Sequence, residues 1–155
     1  MFASVAGNQG KESAFVPTQQ SQQSFSKGPR ATPYRVLLVD DDEATCQLLR
    51  DILDHYTDIK VVGQAGDGRE AVAMATVHEP DVILMDVALP YLDGIEATHC
   101  IKKTRPRTVI IGLAGHFAPR TYNAMRTAGA AAFMCKNQAL ALHETIIYAL
   151  GQWIE

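Results

Sequence analysis

No apolar run in this 155-residue chain approaches the roughly 20 residues that a membrane-spanning helix needs. The N-terminus carries no basic segment followed by an apolar core, which argues against a secretory leader. Cysteine is scarce: Cys46, Cys100 and Cys135 are odd in number and have no metal-type spacing. They read as buried, reduced thiols of a cytoplasmic protein, not as a disulfide frame or a zinc site. Positive charge is also short. Residues 35–155 hold eleven basic and sixteen acidic side chains, which excludes a broad phosphate-backbone footprint, so direct nucleic-acid binding is not expected.

The chain does have enough apolar residues, 47%, to build a core, and its length suits one domain with a tail. The tail is residues 1–34, rich in Gln, Ser, Gly and Pro, with Phe2, Phe15, Val16 and Phe25 isolated and without period. Such a segment buries too little apolar area to offset its chain entropy and is expected to be disordered. From residue 35 to 155 a single domain is expected.

There strand and helix signals alternate. Val36-Leu37-Leu38-Val39 is a continuous apolar run, as in a strand buried on both faces. Cys46, Leu48, Leu49, Ile52 and Leu53 then give a helical face up to about His55, and 59–64 reads as a second strand. Asp67 and Glu70 have the spacing of a capping box for a helix using Ala71, Val72, Met74, Ala75 and Val77 and stopping before Pro80. A third strand, 81–85, ends at Asp86. Pro90 and Gly94 punctuate a loop before helix 95–103, a fourth strand at 109–113, and a helix opened by Pro119 and closed by Gly129. A fifth strand covers 131–135 and a last helix runs from about 138 to 151. This order predicts an α/β fold: an open, doubly wound, five-stranded parallel sheet with ligands at the carboxyl ends of its strands.

The chemistry-bearing residues fall at those ends. Asp40 and Asp41 follow the first strand, Asp86 ends the third, and Lys136 follows the fifth. If the first and third strands are neighbours, the carboxylates converge, and like charges ~4 Å apart cost up to ~4 kcal/mol per pair at an effective dielectric near 20. A cation must offset that. Hard oxygen donors select Mg²⁺ or Mn²⁺. An aspartate beside such an ion, with a lysine to absorb phosphoryl charge, is equipment for accepting a phosphoryl group.

The runs Val36 to Asp41, Asp81 to Asp86 and Ala132 to Lys136, with Pro90 and Gly94 between, closely resemble the receiver domain of two-component response regulators. The phrase Val61 to Gly68 resembles the NarL/FixJ branch most. The resemblance covers roughly residues 34–150. It implies a flavodoxin-like (CheY-like) strand order of 2-1-3-4-5 and makes Asp86 the phosphoacceptor. Asp41 would bind Mg²⁺ directly, Asp40 mainly through water, and the backbone carbonyl of Ala88 would complete the protein ligands, with Lys136 on the phosphoryl group. The implied donor is a phosphohistidine on a sensor histidine kinase, a phosphotransfer protein, or a small acyl phosphate. The implied output surface, and the usual homodimer face, is made by the fourth helix, fifth strand and fifth helix. It makes Phe117, Tyr122, Tyr148 and Trp153 candidate contacts. On this reading the chain is a phosphoacceptor, not an enzyme with a separate substrate.

The pattern departs from the family at one place. Receivers carry Ser or Thr at the end of the fourth strand, where this chain has Ala114, with Leu113 and Gly115 on either side. A methyl cannot bond a phosphoryl oxygen, so the link to Phe133, which occupies the switching-aromatic position, lacks a member. The alternative this raises is an interaction module insensitive to phosphorylation. His116 reads as an exposed loop histidine and Asp42 as rim charge or a helix N-cap. Asp40-x-Asp42 also resembles the nucleophile motif of haloacid-dehalogenase phosphatases, but Ala44 stands where that motif expects Thr or Val. Relatives in the NarL/FixJ branch append a helix-turn-helix domain; ending at Glu155, the chain reads as a stand-alone receiver or as part of a longer regulator.

Overall fold

Continuous apolar runs become the central strands and the 3.6-residue patterns become the helices that cover them. In the computed structural model, which describes residues 30–153, the elements are β1 (Tyr34–Val39), α1 (Glu43–Leu53), β2 (Ile59–Ala65), α2 (Gly68–His78), β3 (Val82–Asp86), α3 (Gly94–Thr104), β4 (Val109–Ala114), α4 (Pro119–Ala128), β5 (Ala132–Cys135), a 3₁₀ segment (Lys136–Ala141) and α5 (Leu142–Trp153). All pairings are parallel and the sheet order is β2-β1-β3-β4-β5, as expected. Tail residues 1–29 and the side chain of Trp153 lie outside the described residues.

Period-2 alternation sorts the strands between two layers. Val36, Leu38, Val82, Leu84 and Ile111 face α1 and α5, where they meet Cys46, Leu49, Leu53, Leu142 and Ile146. Leu37, Val39, Ile83, Met85, Ile110 and Phe133 face α2, α3 and α4, against Ala71, Ala75, Ala97, Ile101 and Met125. Each fully buried Leu or Ile side chain contributes ~1.5–3 kcal/mol relative to exposure.

Two side chains assigned to helical core faces point outward: Leu48 is 51% and Val77 73% exposed. At 100° per residue, Leu48 lies about 200° from buried Cys46, and Val77 the same angle from buried Ala75. The apolar residues there are more numerous than the buried stripe has places for.

The helix ends follow their local chemistry. Asp67 accepts a hydrogen bond from the Glu70 N–H, but the Glu70 carboxylate reaches back to the N–H of Gly66, one residue beyond a strict capping box. Asp93 caps α3 by accepting from the Glu96 N–H. Pro119 opens α4 and Gly129, at φ 117°, closes it. The final α-helix begins later than its spacing suggests. Gln138 leaves the helical region at φ −105°, ψ 26°, and its side-chain oxygen accepts the Cys135 N–H, so residues 136–141 wind as 3₁₀ before α5 starts at Leu142. On the sheet's edge, β2 carries a bulge: Val36 pairs with Val61 and Leu37 with Gly63, leaving Val62 out of register.

Candidate functional site

Strand order sets the site. β1 and β3 are neighbours with Val39 opposite Met85, so Asp40 and Asp86 leave the sheet side by side. β4 separates β3 from β5, so Lys136 has to reach over the end of β4, where Ala114 offers only a methyl. Its ammonium lies 2.7 Å from Asp40 Oδ2 and 3.3 Å from Asp86 Oδ2. Carboxylate oxygens of Asp40, Asp41 and Asp86 lie within 4.8 Å of one another. Asp40 and Asp86 are buried and Asp41 is exposed, which leaves one side of the cluster open to solvent.

Backbone hydrogen bonds orient two of these carboxylates. Asp40 Oδ1 accepts the Asp42 N–H at 2.9 Å, and Asp86 Oδ1 accepts the Ala88 N–H at 3.2 Å. The Val87 N–H donates to the Leu113 carbonyl, tying the chain after Asp86 to β4. Asp42 adopts the backbone of an N-cap for α1, but its carboxylate takes the Thr45 hydroxyl at 2.6 Å instead of a backbone N–H. That hydroxyl is the main reason its carboxyl sits below the usual range.

Electrostatics mark Asp86 as the unusual acid. Burial, and then the charge of Asp40, hold its pKa above the ordinary 3.8. Burial works against the charge on Lys136, but the Asp40 and Asp86 carboxylates outweigh it and raise its pKa above 10.5. Cys46 donates its thiol to the Asp40 carbonyl at 3.5 Å. Burial first and Asp40 second push that thiol up to about 11, which makes it an inert core group. Cys135 is also buried and Cys100 half-buried; all three are free thiols.

Asp40 Oδ2 meets the Lys136 ammonium as an ion pair, but among the described residues it has no hydrogen-bond partner of acceptable geometry. An all-oxygen donor set of three carboxylates sharing one ammonium, with one solvent-facing member, fits a hard divalent cation.

A family model described as the response regulator receiver domain matches residues 36–147. This chain belongs to that family. Among curated proteins it is similar to the protein-glutamate methylesterase/protein-glutamine glutaminase of Thermotoga maritima, 46% identical over 104 residues, spanning 66% of this chain but only 30% of that one. Among solved structures it is similar to the response regulator domain of T. maritima CheB, with a TM-score of 0.69, 36% identity, and coverage of 77% of this chain and 97% of that one. A NarL receiver domain from Mycobacterium tuberculosis shares the fold at a TM-score of 0.68 and 24% identity, covering 74% of this chain and 96% of that one. Receiver domains are phosphoacceptors of two-component systems and generally bind Mg²⁺ at an acidic pocket; in this structure Asp40, Asp41 and Asp86 form a cluster of carboxylates.

The other residues singled out in this receiver divide by burial. Phe133 is fully buried, in edge-on contact with Tyr122 at 5.6 Å and Phe117 at 6.5 Å between centroids. Phe117 and Tyr122 are partly buried against the same core layer, Tyr148 is partly buried, and His116 is exposed. No signal in the sequence marked Thr45 as the partner of Asp42, or Gln138 as the side chain that sets the start of the Lys136 segment. No helix among the described residues is long and apolar enough to cross a membrane.

Proposed function

We propose that this receiver accepts a phosphoryl group on Asp86 from a phosphohistidine donor, in a reaction that needs Mg²⁺, and signals through the α4–β5–α5 face. The observation that carries the proposal is the cluster of three carboxylates within 4.8 Å, two of them paired to one lysine. Asp41, Asp86 and the Ala88 carbonyl would hold the ion, with Asp40 bound chiefly through water. When bound, the ion supplies charge for the phosphoryl oxygens and lowers the repulsion among the acids.

This chain's own groups do the rest. An Asp86 carboxylate oxygen attacks phosphorus and the P–N bond to the donor imidazole breaks. The electron pair stays on the imidazole nitrogen, which takes a proton from solvent. The Ala88 N–H keeps Asp86 Oδ1 oriented, and Lys136 moves its charge from Asp40 towards the incoming phosphoryl group. The partner is a sensor histidine kinase or phosphotransfer protein, and the setting is the cytoplasm. The interaction-module alternative rests on Ala114 alone, whereas the carboxylates and Lys136 are all in place.

Intact mass after incubation with acetyl phosphate and Mg²⁺ tests the proposal. The expected result is a single phosphoryl adduct in the wild type, absent in Asp86→Asn and after EDTA. No adduct under any condition overturns it. Ala114 gives a second expected result, on output. Ala114 is buried at the end of β4, in the core layer that holds Phe133. With beryllofluoride as phosphoryl mimic, amide shifts over α4 and β5 should be clearly larger in Ala114→Thr than in wild type; equal shifts would show that the hydroxyl is not needed.

A further inference from the structure

Residues 87–93, the loop that follows Asp86, are fixed at both ends. The Ala88 N–H is held by Asp86 Oδ1, and the Gly94 N–H donates to the Val87 carbonyl at 3.1 Å. At the far end Leu92 presses on the start of α2, where a β-carbon on Gly68 would lie 1.8 Å from the Leu92 carbonyl oxygen. Between these points the chain reverses at Tyr91. Its φ is 64°, and the Leu92 N–H donates to the Pro90 carbonyl at 2.7 Å across it. That is a three-residue γ-turn of the positive-φ kind, which is rare and strained.

Glycine would enter this turn freely and tyrosine does not. Among the described residues the other non-glycine at positive φ, Glu79, has an ordinary reason, since it closes α2 in the left-handed cap before Pro80. Tyr91 has none of that kind. Tyr91 is 79% exposed, so burial does not offset the strain. The contact it does make is with Arg69, whose guanidinium lies 4.8 Å from the ring centroid. Arg69 is the second residue of α2 and Tyr91 follows β3, so both stand at the carboxyl end of the sheet with the acidic cluster.

We propose that Arg69 and Tyr91 form a clamp that sets this loop, and with it the Ala88 carbonyl, for a divalent cation at the acidic site. The proposal rests on the Mg²⁺ reading given above. Both are positioning residues, acting through Ala88. If Tyr91 relaxed to negative φ, the chain direction between Pro90 and Leu92 would change. Leu92 packs on Gly68 and the Ala88 N–H is held by Asp86, so the displacement would be taken up between them, where the peptide bearing the Ala88 carbonyl lies. The clamp would hold the strained turn at Tyr91 in one conformation, so that ordering the loop is not left to the ion.

The test is isothermal titration of the full chain with MgCl₂, beside metal-free thermal scans, for wild type, Arg69→Ala, Tyr91→Gly and Tyr91→Phe. Arg69→Ala and Tyr91→Gly should weaken Mg²⁺ binding about fivefold to tenfold. Strain relief and added chain entropy oppose each other in Tyr91→Gly, so its metal-free melting temperature should stay within about 2 °C of wild type. Tyr91→Phe keeps the ring and should bind like wild type. With acetyl phosphate, the Mg²⁺ concentration for half-maximal phosphorylation should rise in the two weakened variants while the rate at saturating Mg²⁺ holds. Wild-type affinity in both Arg69→Ala and Tyr91→Gly, or a loss in Tyr91→Phe equal to that in Tyr91→Gly, overturns the clamp alone. No Mg²⁺ binding by wild type overturns the metal reading and the clamp together.

Discussion

Replacing Lys136 with alanine is expected to destabilise the metal-free protein by about 2–3 kcal/mol. Asp40 and Asp86 share this one ammonium, and their side chains are only 1% and 6% exposed. Removing one partner of a buried pair costs ~3–5 kcal/mol because the other charge is left uncompensated. The Lys136 side chain keeps 27% of its surface in water, so solvent takes a share and the lower figure applies. For a domain of this size that is a fall of about 10 °C in melting temperature. Mg²⁺ should return part of the loss by supplying a replacement cation, and Asp40→Asn in the same chain should return most of it.

Acidification gives the sign. Asp86 has a folded-state pKa raised by burial and by Asp40, so the folded protein takes up that proton at higher pH than the unfolded chain. Its repulsion is therefore present at neutral pH and is relieved as pH falls through the raised pKa. The Lys136→Ala deficit, which consists of that repulsion, should narrow as pH falls, beginning above the wild-type interval because Lys136 no longer lowers the Asp86 pKa. Urea denaturation at several pH values, with and without Mg²⁺, measures all of this. A neutral-pH loss below about 1 kcal/mol would mean that the pair behaves like a surface salt bridge.

Gly94→Ala should cost more still, about 3 kcal/mol or above, and prevent folding in a marginal background. In an exposed helix such a change stabilises by up to ~1 kcal/mol, so the effect reverses an ordinary expectation. A β-carbon at 94 would stand 2.1 Å from the Asp86 carbonyl oxygen and 2.8 Å from the Val87 α-carbon. Those are backbone atoms of β3 and of the loop bearing Ala88, and neither can yield without moving the site. Gly115→Ala is the control: nothing lies within 4 Å of its β-carbon, and it should be neutral. Chemical denaturation of the two variants checks the contrast. Equal stabilities would show that the β3–α3 junction is softer than its contacts imply.

The strands were legible because a parallel sheet buried on both faces demands unbroken apolar runs, and Val36–Val39, Val82–Met85 and Val109–Leu113 supply them. Convergence of Asp40, Asp86 and Lys136 followed from strand order alone. Side-chain direction on the helices was less legible. Leu48 and Val77 are apolar like their buried neighbours, and only angular position separates them. The 3₁₀ start after Lys136 depends on one side-chain bond from Gln138, which no periodicity reports. Least visible were pairings between residues far apart in sequence. Arg69 on Tyr91 is one. The Tyr56 ring stacked 3.8 Å from that of His143, which meets Asp58 at 2.9 Å, is another.

The bulge at Val62 bears on what happens when many copies crowd together. An outer strand with free N–H and C=O groups is a template on which another chain can crystallise its own strand, the first step towards fibres. In this sheet one margin is β2, kinked at Val62 and carrying exposed Lys60; the other is β5, four residues long. Neither margin offers a long flat row of donors and acceptors. Among the described residues, turbidity in concentrated solution is then not expected to start by growth of the native sheet.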